Sequence, residues 1–316
     1  TRTDTLFPYT TLFRSFSAWA RFRSTFGSRT LRLVTDDGRS VAQLLVKSIG
    51  PVRIVWSAGA PLGTTSTSLL VELREAARRE VGGAVSYLRV ADHRQLSEAC
   101  EAEFRDAGFA RPVRLLSTGQ TLVRNLSSDH AALAEAYTSN WSRNLRRGHQ
   151  REVVAEEWTS PDAAQLARLH QDVENLKHSF DADWRRDEGS MRRLLGCFGE
   201  RLVVVRAIDA HGALLAVRSA VVCGATGFDF LAATAPEGRR CYASNVALDA
   251  LLSLLTARGI TRYDFGGVDE TNNKGVFDFK HGAGGMPYTY VGEFESVSPR
   301  IARSVVSKLV SLRLSA

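Results

Sequence analysis

The sequence predicts an α/β protein with mixed sheets, built from two tandem copies of one β-β-β-α-β layout. Residues 202–263 alternate short apolar runs with turn residues and then hold one stretch of helical period. Residues 31–87 repeat that order of elements. A single offset of 176 positions aligns Ser68 with Ser244, Gly83 with Gly259 and Tyr87 with Tyr263. One offset shared by a helix cap, a helix stop and a strand aromatic indicates an internal duplication.

In the second copy, residues 202–208, 213–222 and 228–233 read as strands, with turns at His211-Gly212 and Gly224. A loop holding Pro236 and Gly238 follows, and Ser244 supplies an oxygen to cap a helix. Leu248, Leu251, Leu252 and Leu255 line one face of that helix, and Gly259 ends it before the Tyr263 strand. In the first copy, strands at 31–35, 41–47 and 52–56 precede a loop with Pro61 and Gly63. A helix at 68–80, the stop Gly82-Gly83 and a strand containing Tyr87 complete it. Further helices are expected at 131–147, 161–177 and 299–314. The chain then divides into a leader at 1–15, a first domain at 16–118, a second at 119–296 and a C-terminal helix at 297–316. The leader reads as translated adapter sequence rather than protein and is set aside from the fold.

The 316 residues suffice for two domains, each with its own core. An apolar share of 44% and a charged share of 24% exclude disordered and collagen-like chains. No run approaches the ~20 apolar residues of a membrane span, so the expected compartment is the cytoplasm, including the inner face of the membrane. A net charge of +7 favours an anionic partner: RNA, a nucleotide or a phospholipid surface. Cys100, Cys197, Cys223 and Cys241 lack paired zinc spacing and read as reduced thiols. The seven histidines are dispersed, so no metal is expected.

Tyr263-Asp264-Phe265-Gly266-Gly267 runs from alternating apolar residues into paired glycines, as a strand does where its backbone opens toward a ligand. Lys280 then stands after Phe279 and before Gly282, Gly284 and Gly285. Acyl transfer to an amine requires stabilisation of the negative charge that develops on the carbonyl oxygen. A lysine supplies this without changing its own protonation state, and such donors are worth a factor of about 10² to 10³ in rate. The plainer reading of Lys280 is a surface lysine beside a glycine turn. Asp264 alternates with Tyr263 and Phe265 and so faces away from both, as a groove-lining residue or as a structural carboxylate. Arginines gather at Arg143, Arg146, Arg147 and Arg151, at Arg185, Arg186, Arg192 and Arg193, and at Arg239 and Arg240. Their planar forks suit phosphate, although each cluster also reads as a solvated helix face.

The 263–285 stretch resembles the C-terminal pattern of the FemABX peptidyltransferases: a strand ending Tyr-Asp-Phe-Gly-Gly, a short loop, and Phe-Lys-x-x-x-Gly-Gly. The likeness extends more faintly over residues 19–294. The β-β-β-α-β layout is likewise the core of the GNAT acyltransferase superfamily, which the FemABX proteins resemble in tandem. The resemblance implies two tandem GNAT-like domains, no bound cofactor, aminoacyl-tRNA as co-substrate, and an amine of a nucleotide- or lipid-linked peptidoglycan precursor as acceptor. It implies an electrostatic role for Lys280 beside Phe279, and phosphate contact by Arg186, with Arg185 the neighbouring register. In Trp19-Ala20-Arg21-Phe22-Arg23, Arg23 stands where the family has a lysine that touches the nucleotide-sugar substrate. Charge is kept there and point geometry is not.

Two rival readings remain open. An acyl-CoA-dependent N-acyltransferase would hold pyrophosphate at the start of the 244 helix, through an Arg/Gln-x-x-Gly-x-Gly/Ala stretch. Here it reads Arg240-Cys241-Tyr242-Ala243-Ser244-Asn245, which makes Arg240 and Tyr242 candidate binding residues but seats Asn245 poorly. The second rival is a catalytically silent tandem domain that binds RNA or an anionic membrane. The terminal helix would then make a peripheral membrane contact, with Ile301, Val305, Leu309 and Leu312 opposite its basic residues.

Overall fold

The computed structural model describes residues 17–59, 61, 63, 65–126, 130–174 and 186–313. The leader, Arg185, and the ends of the helices expected at 161–177 and 299–314 lie outside the described residues. Helix α1 (Ser17–Ser24) precedes an antiparallel meander of β1 (Arg29–Val34), β2 (Val41–Ile49) and β3 (Val52–Ala58). Helix α2 (Thr67–Val81) crosses to β4 (Val85–Gln95), which lies parallel to β3 with Val52 beside Val85, and α3 (Glu98–Asp106) follows.

The chain continues through β5 (Gln120–Asn125), α4 (His130–Glu135), α5 (Ser139–Gln150), β6 (Val154–Glu157), α6 (Ala163–Glu174) and α7 (Glu188–Phe198). A second meander, β7 (Leu202–Ile208), β8 (Leu214–Cys223) and β9 (Thr226–Thr234), leads to α8 (Pro236–Arg240), α9 (Ala243–Ala257), β10 (Arg262–Gly267) and α10 (Lys274–Gly282). The last elements are β11 (Met286–Ser298) and α11 (Arg303–Arg313).

The described residues form two compact units, one of those up to 120 together with those from 288 onward and the other of those between 121 and 287. The first unit's sheet runs β1-β2-β3-β4-β11 and the second's β5-β10-β9-β8-β7-β6. The expected α/β class with mixed sheets is therefore observed, because β4 and β10 run parallel to the third strand of their meanders while the other neighbours are antiparallel. Subtracting 67 from 243 and 81 from 257 returns 176 each time, so α2 and α9 begin and end on the offset read from the sequence.

Several details differ from expectation. Ser66, not Ser68, caps α2 by accepting the Leu69 amide at 3.2 Å, and Ser68 bonds to the Ser66 hydroxyl. Ser244 does not cap α9: that helix starts from Tyr242 in the left-handed region at φ 60°, with no side-chain cap. The helix expected at 131–147 is broken into α4 and α5, because Thr138 prefers to cap and accepts the Trp141 amide. The Pro236 loop is the short helix α8, since proline fits the first helical turn. Residues 288–298, assigned by the sequence to the second half, pair as β11 with β4, from Gly292 beside Asp92 to Ser298 beside Ser86.

Leu44, Val55, Leu70, Phe104 and Phe294 anchor the first unit's core, and Leu122, Val205, Ala220, Leu251, Leu252 and Phe265 the second's. The four leucines read as the apolar face of α9 are all buried. The first unit also buries charge. Arg89 donates from Nε to Glu293 Oε2 at 2.8 Å, and the Leu116 and Ser117 amides donate to the same carboxylate at 3.0 and 2.8 Å. Tyr87, the counterpart of Tyr263, donates its hydroxyl to Glu295 at 3.0 Å.

Removing one partner of a buried ion pair strands the other. Glu293→Ala should cost about 3–5 kcal/mol in urea unfolding, whereas the joint replacement Arg89→Met, Glu293→Leu should recover most of that loss.

Candidate active site

The site is built around the end of β10. Tyr263 and Phe265 are buried and meet edge to face, with ring centroids 4.9 Å apart. The Tyr263 hydroxyl donates to Asp229 on β9 at 2.9 Å. Burial first, and the Asp229 charge second, hold that phenol well above its ordinary value, so it stays a protonated donor. Asp264 is only 2% exposed, and its Oδ1 accepts from Thr121 Oγ1 at 2.6 Å and from the Gly266 amide at 2.8 Å. The carboxylate thus folds back on its own backbone, an arrangement natural to aspartate, while Gly266 adopts φ 71°. This corrects the groove-lining expectation. β10 is flanked on both sides by β5 and β9 and covered on both faces, so the residue alternating with Tyr263 and Phe265 meets protein rather than an opening.

Lys280 sits in the last turn of α10, not in the glycine bend the sequence suggested. Lys274 and Asp278 pair one turn apart at 2.6 Å along this helix, a spacing that could have revealed it. Lys280 is 8% exposed, and its Nζ donates to Gly267 O at 3.1 Å and Gly266 O at 3.4 Å. The surface-lysine alternative therefore does not describe it. Gly285 lets the chain turn away beneath it, since a Cβ there would lie 2.8 Å from Lys280 O.

Phe279 is half-buried, with the Trp141 ring 6.2 Å away and the Arg218 guanidinium 4.6 Å from its centroid. Sequence reasoning missed Arg218. It donates to Ser244 Oγ from Nη2 at 2.7 Å and Nε at 3.1 Å, and its Nη1 stands 3.9 Å from Asp229 Oδ1. It therefore joins the first turn of α9, the carboxylate that holds Tyr263, and the ring beside Lys280. Its signal was visible as the one charged residue in a ten-residue apolar strand.

Two arginine clusters converge at the start of α9. Arg147 donates to the Tyr242 hydroxyl at 3.3 Å, and the guanidinium groups of Arg147 and Arg151 lie 6.0 and 5.5 Å from the Tyr242 ring centre. Arg151 also donates to Arg240 O, while the exposed Arg240 side chain pairs with Glu237 at 2.9 Å. Cations, a ring and a helix N-terminus without a side-chain cap make a place where an anion is favoured.

The remaining expected residues stand elsewhere. Arg186 precedes α7 near His170 of α6. Burial first and the Arg186 charge second lower the pKa of that imidazole to about 3, keeping it neutral. Arg23 belongs to α1 of the first unit, where it is buried with its guanidinium 5.8 Å from the Trp19 ring centre. His281 is exposed and stacks on Phe277. Among the described residues no group of three His, Cys, Asp or Glu side chains could hold a metal ion.

Residues 135–281 match the family described as Acetyltransferase (GNAT) domain, a span that includes Arg218, the start of α9, Phe279 and Lys280. The matched span is similar to a GNAT acetyltransferase domain, and the two units have the β-β-β-α-β fold of tandem GNAT-like domains. Among solved structures the chain is similar to FemX, with a TM-score of 0.77 at 14% identity, covering 92% of this chain and 94% of that one. It is also similar to a tandem GNAT protein from the clavulanic acid biosynthesis pathway, with a TM-score of 0.53, 14% identity and 87% of each chain covered. A third likeness is to the C-terminal DUF2156 domain of a protein assigned as a lysylphosphatidylglycerol synthetase from Agrobacterium fabrum, at 0.53 and 14%, covering 95% and 93%. The FemABX resemblance carried by residues 263–285 is thus accompanied by a likeness of fold to FemX over 92% of the chain. No curated protein matches it in sequence.

Asp264→Ala leaves the buried Gly266 amide without its acceptor and should lower stability by about 1–3 kcal/mol, read as a shifted urea midpoint. His170 gives a pH signature. Its pKa is 6.5 in the unfolded chain and about 3 when folded, so the unfolded state takes up protons first as pH falls. Stability should decline below pH 6.5 with a slope approaching about 1.4 kcal/mol per pH unit, and His170→Leu should flatten the slope measured between about pH 6.5 and 5.

Proposed function

We propose that this acyltransferase moves an aminoacyl group from aminoacyl-tRNA to an amine of a nucleotide- or lipid-linked cell-envelope precursor. The observation that carries the reading is Lys280. Its ammonium is drawn out of solvent and fixed against the Gly266 and Gly267 carbonyls, inside the Phe-Lys-x-x-x-Gly-Gly pattern of residues 279–285. A positive charge fixed in a site of low dielectric acts on a developing oxyanion without reorganising at the moment of reaction.

The acceptor amine attacks the ester carbonyl and a C–N bond forms. The carbonyl oxygen becomes an oxyanion that Lys280 stabilises. Collapse breaks the C–O ester bond, and the departing ribose hydroxyl leaves with the proton lost by the attacking nitrogen, so the enzyme ends in its starting protonation state. Arg147, Arg151 and Tyr242 suit the phosphates and a base at the RNA end, since arginine meets phosphate and an aromatic ring stacks on any base. By the FemABX resemblance Arg186 is assigned to the phosphates of the precursor, and Arg240 is placed near the RNA. The FemABX resemblance of residues 263–285 is what supports this donor and acceptor class, and the proposed compartment is the cytoplasm or the inner membrane face.

The uncapped start of α9 and the acetyltransferase description of the matching family favour one second reading, in which an acyl-CoA is the donor and its pyrophosphate sits against those helix amides. Incubation with charged tRNA or acetyl-CoA and a panel of amine-bearing precursors, followed by mass measurement of the products, separates the two. The proposal expects an aminoacyl mass increment that ribonuclease abolishes. Lys280→Ala should lower the transfer rate by about 10² to 10³ with the circular dichroism spectrum retained, and undiminished transfer by this variant refutes the role given to Lys280.

A further inference from the structure

The outer surface of α11 and the neighbouring 110–118 segment are not explained by acyl transfer. Val306 and Ser307 turn inward and are buried, with Ser307 Oγ donating to Glu295 Oε1 at 2.7 Å. Ile301, in the 3-10 turn that leads into α11, is 92% exposed, and Val305 is 62% exposed. The Leu309 and Leu312 side chains lie outside the described set. Val113 and Leu115 are 65% and 53% exposed. The two segments are neighbours: Arg303 Nη2 donates to Arg111 O at 3.1 Å, and the Ala110 backbone bridges to that of Glu295, whose carboxylate receives Arg303 Nε at 3.2 Å.

Charge says what such a patch can meet. Residues 110–118 and 299–313 contain Arg111, Arg114, Arg300, Arg303, Lys308 and Arg313 and no aspartate or glutamate. Exposed branched aliphatics on segments this rich in cations, of which Arg111 pairs with Glu101 and Arg303 with Glu295, combine the two attractions that hold a peripheral protein on an anionic bilayer: insertion of apolar side chains at the acyl boundary and attraction to acidic headgroups. A second copy of the chain is disfavoured, because a two-fold contact would set these cations against themselves. RNA is disfavoured as well, because neither segment holds a phenylalanine, tyrosine or tryptophan on which a base could stack.

We propose that this face of the first unit docks on the surface of a bilayer rich in anionic lipid. The surface is distinct from the Lys280 site, and its test uses no transfer assay, so its failure leaves the reaction proposed above untouched. Co-sedimentation of the full chain, treated with ribonuclease, is compared on vesicles of phosphatidylcholine alone and of phosphatidylcholine with phosphatidylglycerol. The protein should partition onto the anionic vesicles only, and more weakly as salt rises.

Val305→Asp and Ile301→Asp, and separately Val113→Asp in the other segment, should each lower that partition about tenfold or more. Unchanged melting curves would exclude unfolding as the cause. Equal binding to neutral vesicles, full binding by both sets of variants, or no vesicle binding by the wild type overturns the proposal. So does loss in the variants of a self-association or of an RNA affinity, with vesicle binding intact.

Discussion

A buried ammonium has to be answered by oxygen, and the local architecture of the second unit follows from how the Lys280 charge is met. Two backbone carbonyls are presented to Nζ at the end of β10 because the strand does not run straight there. Asp264 captures the Gly266 amide, the Thr121 hydroxyl holds Asp264, and the pairing of β10 with β5 slips between Asp264 and Gly267. The helix that carries the lysine is thereby fastened to the strand that precedes it. Phe279, one residue earlier, is set between Trp141 and Arg218 as a direct result.

The same economy governs the other charges. In the first unit, Arg89 and Glu293 are buried together, the carboxylate accepting from the Leu116 and Ser117 amides and the guanidinium donating to the Arg114 carbonyl, which is the condition under which such a pair is tolerated in a core. In the second, Arg218 is partly withdrawn from solvent and shared by a hydroxyl, a carboxylate and a ring. Arg147 and Arg151, at the end of α5 and just past it, remain near the surface around Tyr242. A net charge of +7 is thus resolved into cations with structural duties and cations that remain available for recognition.

The duplicated layout was legible because it is written in local signals: alternation, glycine stops and one apolar helical face, repeated 176 positions apart. Lys280 was legible because its neighbours form a dense pattern. Other features required proximity in space. Arg147 and Tyr242 are 95 residues apart, and neither carries a mark pointing to the other. Asp264 misled because alternation along a strand shows that two faces differ, not that both are covered. Serine caps were placed two residues off at α2 and wrongly at α9, where Ser244 serves the guanidinium of Arg218 instead. Helix α10 was hidden by its glycines, which suggested a bend where the lysine-aspartate spacing in fact supports a turn of helix.

The tyrosine common to the two copies shows how far they have diverged. Tyr263 takes its carboxylate from Asp229, 34 residues upstream, whereas Tyr87 takes Glu295, 208 residues downstream on β11. During synthesis the ribosome therefore releases every strand of the second unit's sheet before it releases β11, the last strand of the first unit's. Until then β4 has an open edge, and Arg89 and Tyr87 lack the acids that neutralise and anchor them. The first unit begins before the second and is completed after it, so its nascent form is the one that exposes an unpaired edge to chaperones or to neighbouring chains.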